Sequence, residues 1–474
     1  MQAIRTVTLR CVSALQRAAG LLMSILVLTL LGLPAASASE PGEFSKLTAR
    51  LTPGWVQRGV IYEIYPRQFS AAGDINGITE QLDRLQKLGV DILWLMPIHP
   101  VGKLKSKGTF GSPYAVRDYY AIDPKLGTAD DLHRLVGETH RRGMKIIIDI
   151  VANHTAWDSV MMNSPDFYVH DSTGKIIPPN PDWTDVARLN YDNPKLRRYM
   201  IDMLKHWVRE FDLDGFRCDA AGMVPTDFWE QARLELDGTK RGLLMLAEWD
   251  SPALLARAFD LDYAWKGYSA MADAIQGRVP ASAVREQWQL EHAQYERGAL
   301  RMRFTDNHDE SRAIARFGEP AALAASALVF TLDGVPLLYN GMEVGDTSES
   351  GAPALFEKRP IDWTIAASRP RFPRTYLQLT TMRHAHPALS DGELIWLHNS
   401  DEARVLTFSR RDAGEELLVA VNLSSQPFVG VVEAGAGSYT ELLPVPDTAI
   451  SPHVVALPAL SLSAWEYRVF RKTP

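Results

Sequence analysis

The run Ile146-Ile147-Ile148-Asp149 decides how this chain is read, together with Gly215-Phe216-Arg217-Cys218-Asp219, Leu243 to Leu246 ahead of Glu248, and Arg301 to Thr305 ahead of Asp306 and Asp309. Each is a short apolar or β-branched run of the kind that forms a buried strand, and each is followed by an acid. Working outward, Val60–Ile64, Ile92–Met96, Tyr263–Trp265 and Pro336–Tyr339 repeat the apolar pattern. Between them lie amphipathic stretches, such as Ile78, Leu82 and Leu85, or Leu132, Leu135 and Val136 after the acidic start Asp130-Asp131. That spacing marks helices with one apolar stripe. Strands alternating with helices, with the strand count at the barrel number, predict an α/β chain folded as a (β/α)8 barrel over 52–385.

Two stretches depart from the rhythm. The segment 153–193, rich in Pro, Asp, Asn and Trp, is far longer than the roughly 2 to 6 residues of an ordinary βα loop and is expected to be an inserted subdomain. Beyond His386 the helical period gives way to alternation in Val405–Phe408, Leu417–Val421 and Ser463–Phe470, which predicts a C-terminal antiparallel β-sandwich over 386–474.

Bulk properties narrow the function. With 474 residues, 46% hydrophobic and 23% charged, the chain has the composition of a soluble globular protein, long enough for several units. A net charge of -7 supplies no basic field to hold a polyphosphate backbone, so no nucleic-acid partner is expected. Arg5, Arg10 and Arg17 precede an apolar run from Leu21 to Leu33, and Ala36-Ser37-Ala38 follows with the small residues of a cleavage site. This predicts a signal peptide over 1–38, and hence export to the periplasm or medium without stable membrane insertion. Of Cys11 and Cys218, only the second would remain after cleavage, so no intramolecular disulfide is expected. Oligomeric state is not legible.

The acids carry the chemistry. One acid at a strand end ordinarily caps a loop, but here Asp149, Asp219, Glu248, and the pair Asp306 and Asp309, would gather at the C-terminal mouth of one barrel, where active sites of this architecture lie. Glycosidic bond cleavage needs two carboxyl groups, one to protonate the departing oxygen and one to attack or to activate water. Asp219 and Glu248 have the required types.

The segments Asp149-Ile-Val-Ala-Asn153-His154, Asp214-Gly-Phe-Arg217-Cys-Asp219, Leu246-Ala-Glu248 and Phe304-Thr-Asp-Asn-His308-Asp309 resemble, in order and spacing, the four signature segments of the α-amylase family of glycoside hydrolases. Tyr62-Glu-Ile-Tyr65, Tyr114 with Asp118-Tyr119, and Gly334-Val-Pro-Leu-Leu-Tyr339 with Gly341 and Glu343 extend the likeness. The resemblance implies a retaining hydrolase of α-1,4-glucosidic bonds in starch or maltooligosaccharides. Asp219 would be the nucleophile, Glu248 the general acid/base and Asp309 the transition-state stabiliser. Arg217, two residues before Asp219 on the same strand face, would keep the nucleophile ionised. Tyr114 as stacking platform, His154, His308, Arg217, Tyr65 and Trp249 complete the implied substrate-binding set, and Asp149 and Asn153 would orient the site. Glu248 needs a raised pKa, to which Trp249 and the neighbouring carboxylates would contribute.

Two departures from the family pattern bear on specificity. Many members carry Lys-His shortly after the nucleophile, where this chain reads Ala220-Ala221-Gly222-Met223. Arg188 stands where an acid is common, in a region that with Asn153 holds Ca²⁺ in calcium-dependent members; a nearby Arg repels a cation. No cofactor is expected for the chemistry, and Asp158, Asp166 and Asp182 are the other candidate calcium ligands. The same glycosyl-enzyme could serve a transglycosylase, a neopullulanase- or cyclomaltodextrinase-like enzyme or a sugar isomerase, and a non-catalytic glucan-binding protein is the remaining alternative.

Overall fold

The computed structural model describes residues 42–443 and 454–473; the expected signal segment 1–38 lies outside them. Eight parallel strands close into a barrel: β1 (Ile61–Ile64), β2 (Ile92–Leu95), β3 (Lys145–Val151), β6 (Gly215–Asp219), β7 (Leu244–Ala247), β8 (Leu261–Tyr263), β9 (Leu300–Arg303) and β10 (Val335–Tyr339). The two strands numbered between β3 and β6, β4 (His154–Ala156) and β5 (Val186–Arg188), form a separate antiparallel pair, with His154 opposite Arg188. They clamp the base of the inserted segment directly after β3. Around the barrel run helices such as Ala129–Arg141 and Pro194–Phe211, whose buried faces are Leu132, Leu135 and Val136 in the first and Leu196, Met200, Leu204, Trp207 and Phe211 in the second. Thr128 and Asp131 form a capping box that starts the former.

The sixth barrel strand departs from expectation. It spans Leu261–Tyr263 instead of Tyr263–Trp265, and Trp265 opens the helix Trp265–Ile275. Alternation misleads here because both aromatics are drawn inward by packing: Tyr263 and Trp265 stack with ring centroids 5.2 Å apart, against Phe304.

Strands β11 (Glu393–Leu397), β12 (Val405–Asp412), β13 (Glu415–Asn422), β14 (Phe428–Val431), β15 (Gly437–Leu443), β16 (Val454–Leu457), β17 (Ala459–Leu462) and β18 (Tyr467–Lys472) build the C-terminal part. A six-stranded antiparallel sheet in the order β11-β12-β13-β18-β15-β16 faces a two-stranded one, β14-β17. The period of two on β13 explains both faces. Leu417, Val419 and Val421 join the barrel's core, whereas Leu418 and Ala420 pack with Phe428, Leu460 and Leu462 between the two sheets. Arg410 on β12, fully buried, donates to the carbonyls of Thr331 and Gly392, each at 2.9 Å, and so ties the sheet to the barrel.

Asp214 anchors the strand that carries the expected nucleophile. Its carboxylate accepts from the Ile146 N–H on β3 at 3.0 Å and from His140 Nε2 at 2.7 Å, with Lys145 and Lys240 each 3.2 Å away. Burial alone would raise its pKa, but the hydrogen bonds from His140 and Ile146 and the lysine charges win and hold it at about 2. Because the folded value lies below the ordinary value near 3.9, this group stabilises the fold above that range and loses its contribution as pH falls through about 2. Asp214→Asn is expected to cost about 2 kcal/mol at neutral pH, with the gap to wild type closing toward pH 2, as measured by denaturant unfolding across pH.

Candidate active site

The register of the barrel brings the strand-end acids together. Asp149 on β3 lies beside Arg217 on β6, Val151 beside Asp219, and Cys218 beside Ala247, so that Glu248 emerges one residue past the end of β7. Gly215 begins β6 at φ +147°, where any Cβ would collide with the Leu244 backbone. Only glycine lets β6 and β7 approach this closely there.

Arg217 is wholly buried and is the hub. Its Nη1 donates to Asp149 Oδ1 and Oδ2 at 2.9 and 3.0 Å and to Asp219 Oδ1 at 3.0 Å; its Nη2 lies 2.9 Å from Glu248 Oε1, and its Nε donates to the Tyr263 hydroxyl at 3.2 Å. Trp94, Tyr114 and Tyr263 surround the guanidinium at 5.2 to 5.8 Å from their ring centroids. The second oxygen of Glu248 accepts the Ala220 N–H at 2.7 Å. Ala220 reaches it through a left-handed backbone, φ 43°, a conformation that costs a non-glycine residue about 1 kcal/mol.

A second chain of contacts crosses the mouth. His308 Nδ1 meets Glu63 Oε1 at 2.5 Å, and its Nε2 lies 2.7 Å from the Tyr114 hydroxyl and 3.1 Å from Asp309 Oδ2. The Tyr114 hydroxyl also donates to Asp149 at 3.2 Å, and its ring stacks near-parallel on His308 with centroids 5.4 Å apart. Asp309 is the most open of these acids, with 40% of its side chain exposed.

The electrostatics follow from crowding. Burial raises Asp149, Asp219 and Glu248; Arg217 pulls each back, and the neighbouring carboxylates push up again, leaving Asp219 at about 6 and Glu248 at about 7. His308 loses to burial but gains more from Asp309 and Glu63, rising to about 9, so it is cationic at neutral pH. His154, for which burial outweighs the pull of Asp185, falls to about 4 and stays neutral.

A cavity of about 340 Å³ opens onto this constellation, lined by Tyr114, His154, Asp219, Glu248, His308 and Asp309 among others. Arg217 lies beneath it and Tyr65 behind its wall, the Tyr65 hydroxyl donating to the Leu355 carbonyl at 2.7 Å. Trp249, 39% exposed, lies outside the lining and rests its ring over Gly222, where a Cβ would overlap it. Glu63, held to His308, and Lys107, Trp183 and Asp185 in the cavity lining join the site as well; of these only Glu63, inside the Tyr62–Tyr65 segment, carries a signal in the sequence.

Of the candidate calcium ligands, Asn153 Nδ2 faces His154 Nδ1 at 3.2 Å, Asp158 accepts the Lys103 N–H at 3.1 and 3.0 Å, and Asp166 accepts from Asn193 at 2.8 Å. Among the described residues no group of three or more His, Cys, Asp or Glu side chains is arranged to hold a metal ion.

Comparison with known proteins agrees with this geometry. Residues 63–253 match the model of the α-amylase catalytic domain. The crystal structure of a noncanonic maltogenic α-amylase from Thermotoga neapolitana superposes with a TM-score of 0.80 at 30% identity, covering 89% of this chain and 100% of the other. An α-amylase from Haloarcula japonica is 31% identical over 410 residues, 81% of this chain; the chain spans 58% of that relative's length. The intracellular maltogenic amylase of Bacillus subtilis is 27% identical over 76% of this chain and 67% of its own. This last relative overturns the expectation of a periplasmic or extracellular enzyme: it is an intracellular amylase, and the expectation rested only on the order of arginines, apolar run and small residues within 1–38, outside the described residues. No helix among the described residues is long and apolar enough to cross a membrane. With the matching domain, a solved relative spanned end to end and the strand-end acids gathered at one barrel mouth, the chain belongs to the α-amylase family of glycoside hydrolases.

Proposed function

We propose that this chain is a retaining hydrolase of α-1,4-glucosidic bonds in starch or maltooligosaccharides. The observation that carries the reading is the sharing of one buried guanidinium by Asp219 and Glu248, which sets two carboxyls at one cavity, both pushed upward by burial. In the first step the Asp219 carboxylate attacks the anomeric carbon while the bond to the leaving oxygen breaks and that oxygen takes the Glu248 proton. In the second, Glu248 removes a proton from water as the water displaces Asp219 from the same carbon. Two displacements restore the starting configuration.

The surrounding groups supply charge and position. Asp309 and the cationic His308 lie 3.1 Å apart at the cavity wall, suited to hold sugar hydroxyls as positive charge grows on the ring. Tyr114, pinned through its hydroxyl by His308 and Asp149, offers a fixed face for a sugar ring. No metal or cofactor enters either step.

Asp219→Ala and Glu248→Gln are each expected to lower kcat/KM on maltooligosaccharides by about 10³-fold or more; activity within a few-fold of wild type in either variant would refute the assignment. The active form needs Asp219 ionised and Glu248 protonated. Activity should therefore fall on the alkaline side, where Glu248 loses its proton, and on the acid side, where Asp219 gains one, with both limbs lying above the ordinary carboxylate range because burial raises both groups. In Glu248→Gln the alkaline limb should vanish from the residual activity.

A further inference from the structure

The two ends of the cavity differ. The loop between Val101 and Val116, closed at its base by an antiparallel bridge between those residues, crosses one end from the inserted segment to the segment after β10. On the insert side, Lys103 N–H donates to Asp158, the Lys105 ammonium lies 3.6 Å from the Trp157 ring centroid, and Lys107 Nζ is 2.8 Å from Asp185 Oδ1 and donates to the Asp182 carbonyl at 3.1 Å. On the other side, Thr109 N–H donates to Glu357 Oε1 at 2.9 Å and Phe110 N–H to the Phe356 carbonyl at 3.0 Å. Lys107, Trp183, Asp185, Leu355 and Phe356 are thereby held as a wall of the cavity.

The segments after β2 and after β10 that carry most of this wall flank β1, across the barrel from β7, beyond whose end Glu248 lies. The segment bearing Leu355 and Phe356 is tied to the transition-state group, since Gly351 N–H donates to the His308 carbonyl at 2.8 Å and Leu355 N–H to the Gly351 carbonyl at 2.9 Å. Toward Glu248, which faces the leaving oxygen, the surroundings open. Trp249 lies exposed over Gly222, and beyond Gly222 a second cavity of about 770 Å³ runs past Met223, Arg188 and Asn190. The catalytic cavity itself, about 340 Å³, is at the lower end of the roughly 300–1,000 Å³ usual for small-molecule sites.

We infer that the Val101–Val116 loop seals the glycone end of the cavity, so that the enzyme acts from the non-reducing end of a glucan, holding a terminal mono- or disaccharide there while the rest of the chain extends past Trp249. The inference rests on the hydrolytic reading above and adds to it the position of attack. On this inference the Lys107–Asp185 ion pair and the Phe110–Phe356 hydrogen bond stand across the path of an internal glucan segment. A chain with a free non-reducing end enters without obstruction.

The test compares two substrates with the wild-type protein: maltoheptaose, and maltoheptaose whose non-reducing glucose carries a cyclic acetal. The free oligosaccharide should be cleaved with one short saccharide dominating the earliest products, and the capped one about 100-fold more slowly, the discrimination a shaped pocket achieves against a group it does not fit. Equal rates would overturn the inference and leave the hydrolytic reading intact; no cleavage of either would remove that reading and the inference with it. Lys107→Ala, which shortens the wall and removes its ion pair, should narrow the ratio. An unchanged ratio in a variant that still cleaves maltoheptaose would discard the loop as the barrier.

Discussion

One buried cation organises the catalytic end of this protein. Arg217 is fully enclosed, yet it meets Asp149, Asp219 and Glu248 within 3.0 Å. An unpaired guanidinium at that depth would be prohibitively costly, and so would three unpaired carboxylates. Each therefore requires the others, and the barrel strands must hold the register that lets them meet. Pairing Asp149 beside Arg217 and Cys218 beside Ala247 is thus both a statement about the sheet and the condition for the chemistry.

The charge balance around this hub is deliberately incomplete. Asp149, Asp219, Glu248, Glu63 and Asp309 are five carboxyl groups, and Arg217 and His308 are the two cations that touch them. With more acid than compensation in a dry setting, retaining a proton is the least costly adjustment, and burial raises Asp149, Asp219 and Glu248 together as one coupled group. The same excess of negative charge favours a ring that becomes oxocarbenium-like. Acid catalysis and transition-state stabilisation thus have a common electrostatic origin. Expecting Arg217 simply to keep the nucleophile ionised captured half of this; burial works against it, so Asp219 also sits above the ordinary carboxylate range, at about 6.

Much of the fold was legible because the barrel's strands are short apolar runs ending in acids, a pattern that burial on both faces imposes directly on composition. Six of the eight strands end within one residue of the runs read from sequence and the seventh stops two residues short of its run; the sixth was displaced by two residues at both ends, toward Trp265, because two aromatics recruited by tertiary packing imitate a strand. The site was legible where chemistry demands a residue type, as at Asp219, Glu248 and Asp309. It was not legible where only three-dimensional proximity matters. Lys107 and Asp185 are an ordinary surface pair until the loop carries one onto the other, and Gly222 reads as a departure from the family until the Trp249 ring is found lying over it. The signal-like segment was read from the order of arginines, apolar run and small residues, and the intracellular relative shows how little of the compartment such a reading settles.

The central claim is that Asp219 and Glu248 act through two displacements at one carbon. Proton NMR of the first saccharide released from a maltooligosaccharide, recorded before mutarotation, tests it most directly. The account predicts the α-anomer at the newly formed reducing end. A β-anomer as the first product would mean a single displacement by water, and the pairing of Asp219 with Glu248 across Arg217 would then need a different explanation.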